Sequence, residues 1–300
     1  MNFGLIGAAG YIAPKHMRAI KENGGSLLAI MDPNDSVGVI DSHFPDSLYF
    51  SEIESFDRHI YRSIGTSDKI DYISVCSPNY LHDSHIRLGL RNDCDVICEK
   101  PLVINPENIK YLEKLEAETG RKVSTVLQLR YHSQIVELKK AYKNVRLSKP
   151  IDLSYVTCRG NWYMRSWKGD LSKSGGLAAN IGIHFFDMLS WVFGDPVELC
   201  VKSFENKSIS GTLKLDRAEV NWLLSIDENN IPKDLSEKGI RAYRSLSIDG
   251  KEIDFSKGFK DLHTVAYKNI ISGNGFGLSD ALPSLIVCSD ISKGIGTKGY

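Results

Sequence analysis

Short apolar, β-branched runs at 2–6, 27–31, 72–76, 95–98 and 123–127 alternate with longer stretches of helical spacing over roughly the first 130 residues. Few folds accept such an alternation. Strand, helix and strand in succession build a parallel sheet with helices laid over it. The helical stretches are 13–22, 81–91 and 106–118, the last with Asn105 as its N-cap and Gly120 as its stop. After Pro150 the pattern changes: strands at 151–157, 197–203, 211–215, 218–226, 245–248 and 252–255 follow one another with few helices between them. The last two turn at Asp249-Gly250, a hairpin signal. One apolar helix, 177–193, interrupts this half, and a final helix, 280–292, follows a glycine-rich segment.

The expectation is an α/β chain. A doubly wound Rossmann domain over 1–129 precedes an α+β domain over 130–300 with an open, mainly antiparallel sheet. The chain of 300 residues, 42% apolar and 25% charged, is long enough for two cores. Its 37 basic and 37 acidic residues cancel, so no global field holds a nucleic-acid backbone. The six cysteines form no CxxC pair and read as reduced core thiols of a cytoplasmic protein, with no metal framework. No basic then apolar segment precedes the first strand, and no membrane span is expected.

The first strand runs into Gly7-Ala8-Ala9-Gly10-Tyr11-Ile12-Ala13, where small residues let backbone amides approach a pyrophosphate at a helix N-terminus. Asp32 ends the next strand, where an acidic residue accepts ribose hydroxyls. Pro33-Asn34-Asp35-Ser36 follows without a cation for a 2′-phosphate, which favours NAD over NADP. Ser77-Pro78-Asn79 with His82, and Glu99-Lys100-Pro101, stand at carboxyl ends of strands, where open α/β sheets bind ligands. A lysine at a strand mouth, partly desolvated, is suited to accept a proton from a substrate hydroxyl. Asn180, His184 and Asp187 fall at i, i+4 and i+7 of the apolar helix, a polar stripe that needs buried partners or a ligand. Upstream, Arg159 to Lys168 gathers three cations, Arg159, Arg165 and Lys168, and three aromatics, Trp162, Tyr163 and Trp167. Cations suit phosphates and a carboxylate, and aromatic faces cover a sugar or base. His263 and Tyr267, one helical turn apart, offer further hydroxyl or phosphate contacts.

In this order, the glycine turn, Ser-Pro-Asn with His82, Glu-Lys-Pro, and Gly-Gly-x-x-x-Asn-x-Gly-x-His-x-x-Asp resemble the Gfo/Idh/MocA oxidoreductase family. Asn180 replaces the Asp of most members and the glycine turn is one residue longer, both as in the branch acting on UDP-sugar acids. Further stretches carry the likeness, among them residues 10–17, Leu127-Gln128-Leu129-Arg130 and Asp261-Leu262-His263-Thr264. The resemblance implies NAD-dependent oxidation of the C3 hydroxyl of UDP-N-acetylglucosaminuronic acid, in bacterial surface-polysaccharide synthesis. It implies cofactor contacts from Gly7, Ala9, Gly10, Tyr11, Ile12, Asp32, Ser77, Pro78, Asn79, His82, Glu99 and Gln128. Lys100 and His184 then face the oxidised carbon, while the 77–82 loop and Glu99 flank the nicotinamide. The two together are expected to remove the hydroxyl proton, and which of them is the base stays open; the preferred assignment puts Lys100 nearest the reacting oxygen with His184 and Asn180 orienting the sugar. Competing readings are the same machinery on another sugar or polyol, and a silent NAD or sugar-nucleotide regulator. Whether NADH leaves after each turnover or is reoxidised in place by a 2-keto acid stays open at this point. So does the choice between dimer and tetramer, to which the open sheet points.

Overall fold

The computed structural model describes residues 1–253, 258 and 260–300, and the chain divides into two compact units. The first is built on β1 (Asn2–Ile6), β2 (Ser26–Met31), β3 (Leu48–Phe50), β4 (Tyr72–Val75), β5 (Asp95–Cys98) and β6 (Val123–Thr125). Helices α1 (Ala13–Glu22), α2 (Ile53–Ser63), α3 (His82–Arg91) and α4 (Ile109–Thr119) join them. Every neighbouring pair is parallel, in the order β3-β2-β1-β4-β5-β6, the doubly wound Rossmann order. Local chemistry explains the boundaries. Pro14 opens the first turn of α1. Asn105 accepts the Glu107 N–H ahead of α4, and Gly120 closes that helix at φ +69°. The expected elements omit β3 and α2. β3 is three residues long and mostly exposed at the sheet edge, and α2 buries only Phe56, Ile60 and Ser63 among charged neighbours.

The second unit contains α5 (Ser133–Tyr142), β7 (Lys149–Thr157), the short α6 (Trp162–Arg165) and α7 (Leu171–Ser174), then α8 (Ile183–Phe193). β8 (Pro196–Phe204), β9 (Ser208–Leu215), β10 (Ala218–Ser225), the short α9 (Lys233–Ser236), β11 (Ala242–Ile248) and β12 (Lys251–Glu252) follow. The chain ends in α10 (Leu262–Ile271), α11 (Leu278–Ser292) and β13 (Thr297–Gly299). The seven-stranded sheet has the order β12-β11-β7-β10-β9-β8-β13. It is mixed: β10 pairs with β7 in parallel and all other neighbours are antiparallel. The β11–β12 hairpin turns at Asp249 and Gly250, both at positive φ. β12 ends at Glu252; positions 254 and 255 of the expected strand lie outside the described residues.

The boundary expected after residue 129 needs a correction. Residues Asp261–Leu282 return to the first unit, so that unit is Met1–Gln128 with Asp261–Leu282, and the second is Leu129–Lys260 with Pro283–Tyr300. Helix α10 buries Leu262, His263, Ala266, Tyr267 and Ile270. It is tied to α1 by Arg18 to Asp261 at 2.8 Å and by the Asn23 amide donating to the Thr264 carbonyl at 3.1 Å. The helical stretch Leu171–Phe193 is long and apolar enough to cross a bilayer by length and composition alone; 78% of its most apolar window is buried, as in a core helix. All six cysteines are free thiols, and Cys76, Cys94, Cys98 and Cys288 are buried.

Candidate active site

The glycine turn after β1 is shaped first by the strand beside it. Gly7 sits at φ +91°, and a Cβ there would lie 2.6 Å from the carbonyl carbon of Cys76, at the end of β4. Only glycine fits. Gly10 is nearly as close, with 3.0 Å from a Cβ to the Gly7 oxygen. The Asp32 side chain closes the turn from the other side: Oδ2 accepts the Ala9 N–H and Oδ1 the Asn34 N–H, both at 2.9 Å. Each carboxylate oxygen keeps a lone pair for a further donor. Ala9, Gly10 and Ile12 are half-buried, and Tyr11 is 93% exposed. A close-packed turn at the N-terminus of α1, with a carboxylate at the tip of β2 and no cation over 33–36, fits the pyrophosphate and adenosine ribose of NAD.

Two loops follow β4 and β5. The His82 ring lies between them, its Nδ1 2.7 Å from the Pro101 oxygen and its Nε2 2.8 Å from the Ser77 oxygen. Only 1% of this residue is exposed, so it clasps the two loops from inside. Ser77 Oγ meets His85 Nδ1 at 2.9 Å. Burial lowers the pKa of His85 to about 4, with His82 adding to the shift. Pro78 is half-buried and Asn79 buried, while Gln128 is half-buried at the end of the unit's first segment. Lys100, beside the cis Lys100-Pro101 bond, is half-buried at the mouth of β5.

Glu99, one residue earlier, is 8% exposed. Its Oε1 is 2.9 Å from His16 Nε2 and 2.9 Å from His263 Nε2. His16 Nδ1 meets the Tyr267 hydroxyl at 2.7 Å, which meets Ser74 Oγ at 2.7 Å. Burial opposes ionisation of Glu99, yet hydrogen bonds from His16 and His263 outweigh it and hold the carboxyl well below the usual range. Burial also lowers His16, which favours its neutral form. One donor atom from each of His16, Glu99 and His263 falls within 4.8 Å of the others, close enough for a cation. The 2.9 Å contacts are also ordinary hydrogen-bond lengths, and the two imidazoles satisfy the carboxylate without one. Tyr267 is fully buried with its hydroxyl committed to His16 and Ser74. The expected site set omits His16, although a histidine on the buried stripe Ala13, Met17, Ala19 and Ile20 is itself a signal for an internal partner.

In the second unit the polar stripe separates into two parts. A π-helical turn, Ala178–Gly182, precedes α8 and alters the 3.6-residue spacing. Gly182 permits it, since a Cβ there would meet Leu224 Cδ1 at 2.4 Å. From residue 178 to 190 every position is buried except Asn180 and His184. Asp187 is internal: Arg130 grips it at 2.7 and 3.1 Å, with both side chains 5% exposed or less. The cation-rich segment is half accessible. Arg159 and Arg165 are exposed, and Lys168 is held down by burial and by the Arg159 charge nearby. Such repulsion is relieved by a bound anion. Lys168 also lies 4.3 Å over the half-buried Trp167 ring. Tyr163 is only 3% exposed, and burial pushes its phenol up to about 12. It supports the edge-on ring of Trp162, 5.7 Å away and 54% exposed, so the accessible aromatic face there is Trp162's.

Two family models match the chain: an oxidoreductase family NAD-binding Rossmann fold over residues 1–127 and an oxidoreductase family C-terminal alpha/beta domain over 149–225. The structure is similar to the WlbA (WbpB) dehydrogenase from Thermus thermophilus in complex with NAD and UDP-GlcNAcA. That match has 46% identity and a TM-score of 0.94, and covers 97% of this chain and 94% of the other. The same Thermus enzyme is also known in complex with NAD and alpha-ketoglutarate. The WlbA dehydrogenase from Bordetella pertussis, 19% identical with a TM-score of 0.80 and covering 99% of this chain and 97% of the other, shares the fold. Among curated relatives, D-glucoside 3-dehydrogenase from Escherichia coli is 30% identical over 153 residues, 49% of this chain and 42% of that protein. The chain thus spans less than half the length of that relative. With both family domains in order and a close likeness over nearly its whole length, the chain belongs to the Gfo/Idh/MocA oxidoreductase family, its first unit carrying the NAD-binding Rossmann fold.

Proposed function

We propose that the protein oxidises the C3 hydroxyl of UDP-N-acetylglucosaminuronic acid to the 3-keto sugar with NAD. The observation that carries this reading is the 46% identity, over 97% of the chain, to a dehydrogenase that binds NAD together with UDP-GlcNAcA. NAD, when bound, would supply the acceptor for the hydride that leaves C3. Lys100 takes the hydroxyl proton as an amine at the mouth of β5, and Asn180 and His184, the two accessible groups on an otherwise buried helix, orient the sugar. Asn180 has no basic atom and acts only through hydrogen bonds. Arg159, Arg165 and Lys168 bind the diphosphate and carboxylate, and the Trp162 and Trp167 rings supply apolar cover. Asp32 receives the adenosine ribose hydroxyls. A 2-keto acid as in-place oxidant of NADH is supported by the alpha-ketoglutarate complex of the Thermus enzyme. The free thiols fit a cytoplasmic setting, and a homo-oligomer would cover the open face of the seven-stranded sheet.

Reduced-cofactor absorbance with a panel of UDP-sugars tests the reading. Activity is expected with the UDP-uronic acid and not with free inositol or glucose. Arg159→Ala is expected to raise the Michaelis constant for the UDP-sugar while leaving NAD affinity unchanged. Equal turnover of inositol or glucose would remove the substrate class and keep only the family.

A further inference from the structure

The hydrogen bonds around Glu99 admit a complete proton count. An ionised carboxylate only accepts, so both contacts at Oε1 require an N–H, from His16 Nε2 and from His263 Nε2. A neutral His16 protonated at Nε2 leaves Nδ1 as an acceptor, which fixes the Tyr267 hydroxyl as its donor. The Tyr267 oxygen then accepts from Ser74. Oε2 accepts from the Lys100 backbone N–H at 3.2 Å. Every member of the chain Ser74, Tyr267, His16, Glu99 and His263 is buried, at 8% exposure or less. The five come from β4, α10, α1 and the end of β5, all within the first unit. A network this closed holds its carboxylate in one orientation and one charge state.

We infer that His16, His263, Tyr267 and Ser74 are positioning residues that fix Glu99 as a permanent negative charge for the cationic nicotinamide of NAD+. This deepens the proposed function and rests on its assigning Lys100 to the oxidised carbon, since the nicotinamide that takes the hydride from that carbon then lies at the mouth of β5 beside Glu99. The oxidised ring carries a positive charge and the reduced ring none. A fixed carboxylate there therefore binds NAD+ in preference to NADH and eases release or reoxidation of the reduced cofactor. The histidines reach the cofactor only through Glu99, which sets their role apart from that of Lys100.

Calorimetric titration of the full chain with NAD+, NADH and ADP-ribose tests the inference, because ADP-ribose lacks the nicotinamide. Glu99→Gln is expected to shift the ratio of NAD+ to NADH dissociation constants about tenfold against NAD+, with ADP-ribose affinity unchanged. His263→Asn and Tyr267→Phe are expected to move the ratio in the same direction by about threefold. Tyr267→Phe removes one oxygen and keeps the ring packed, so it carries the test if Glu99→Gln does not fold. A merely structural role would weaken all three ligands together, and that result, or an unchanged ratio with ADP-ribose binding intact, overturns the inference. Failure of the wild-type chain to bind ADP-ribose would instead remove the cofactor reading beneath it.

Discussion

The carboxylate of Asp32 accepts the backbone N–H of Ala9 at 2.9 Å, joining the tip of β2 to the glycine turn 23 residues earlier. The residue proposed to receive the ribose therefore also shapes the glycine turn. Asp32→Ala is expected to weaken NAD by at least tenfold and to destabilise the first unit by about 1 kcal/mol, because a half-buried N–H loses its acceptor. Titration and thermal unfolding of the same variant check the two effects; unaltered unfolding would show that the turn does not need the carboxylate.

Gly7 has no tolerable replacement. Alanine would bring positive-φ strain and a 2.6 Å approach to the Cys76 backbone, which has no side chain to move aside. Gly7→Ala is expected to destabilise by about 3 kcal/mol or more, lowering the melting temperature by roughly 10 °C. A melting curve matching wild type would contradict the packing of β1 on β4.

Arg130 and Asp187 form a bidentate pair inside the second unit, with Arg130 also 5.8 Å from the Trp191 ring. Removing one partner leaves a buried charge, so Asp187→Ala is expected to cost about 3–5 kcal/mol in denaturant unfolding. The double variant Arg130→Met/Asp187→Leu should recover most of that. If the double is as unstable as the single, the pair does more than neutralise charge.

Acid should weaken the first unit in two stages. The folded pKa of His85 is about 4 against an ordinary 6.5, and burial lowers His16 and His82 as well. Between those limits the unfolded chain binds protons that the folded chain refuses. Stability from His85 is therefore full above about 6.5 and falls as pH drops toward 4, by about 1.4 kcal/mol per pH unit, and His16 and His82 add losses of the same sign. Glu99, depressed below the carboxylate range, extends the loss below about 4.5. His85→Gln is expected to flatten the upper stage by one proton, read from melting temperature against pH. An unchanged slope would mean that His85 is charged in the folded state.

Lys100→Met and His184→Ala are expected to lower turnover by about 10²- to 10⁴-fold while changing NAD affinity little. Single-turnover reduction of NAD beside equilibrium titration separates the two quantities. Near-wild-type turnover of Lys100→Met would leave the proton without its proposed acceptor, and near-wild-type turnover of His184→Ala would remove its orienting role.

Strand and helix periods, the Asn105 and Gly120 stops, the Asp249-Gly250 turn and the glycine turn before Asp32 are all written within a few residues of themselves, so reading along the chain finds them. The three-residue β3 and the sparse apolar face of α2 carry too little periodic signal to stand out. Partnerships between distant positions are another matter. His16 and Glu99 are 83 residues apart, Glu99 and His263 are 164 apart, and Arg130 and Asp187 are 57 apart. No local spacing encodes which of these side chains meet, because a buried polar group advertises its need for a partner without naming it. Tertiary packing returned 261–282 to the first unit and set His263 and Tyr267 into the frame around Glu99. It also widened the helix into a π turn at 178–182, leaving Asn180 and His184 half-buried while Asp187 went to Arg130. Residue types and short-range order determined what chemistry the chain contains; the closing of long loops decided which groups are held inside and which stay near the surface.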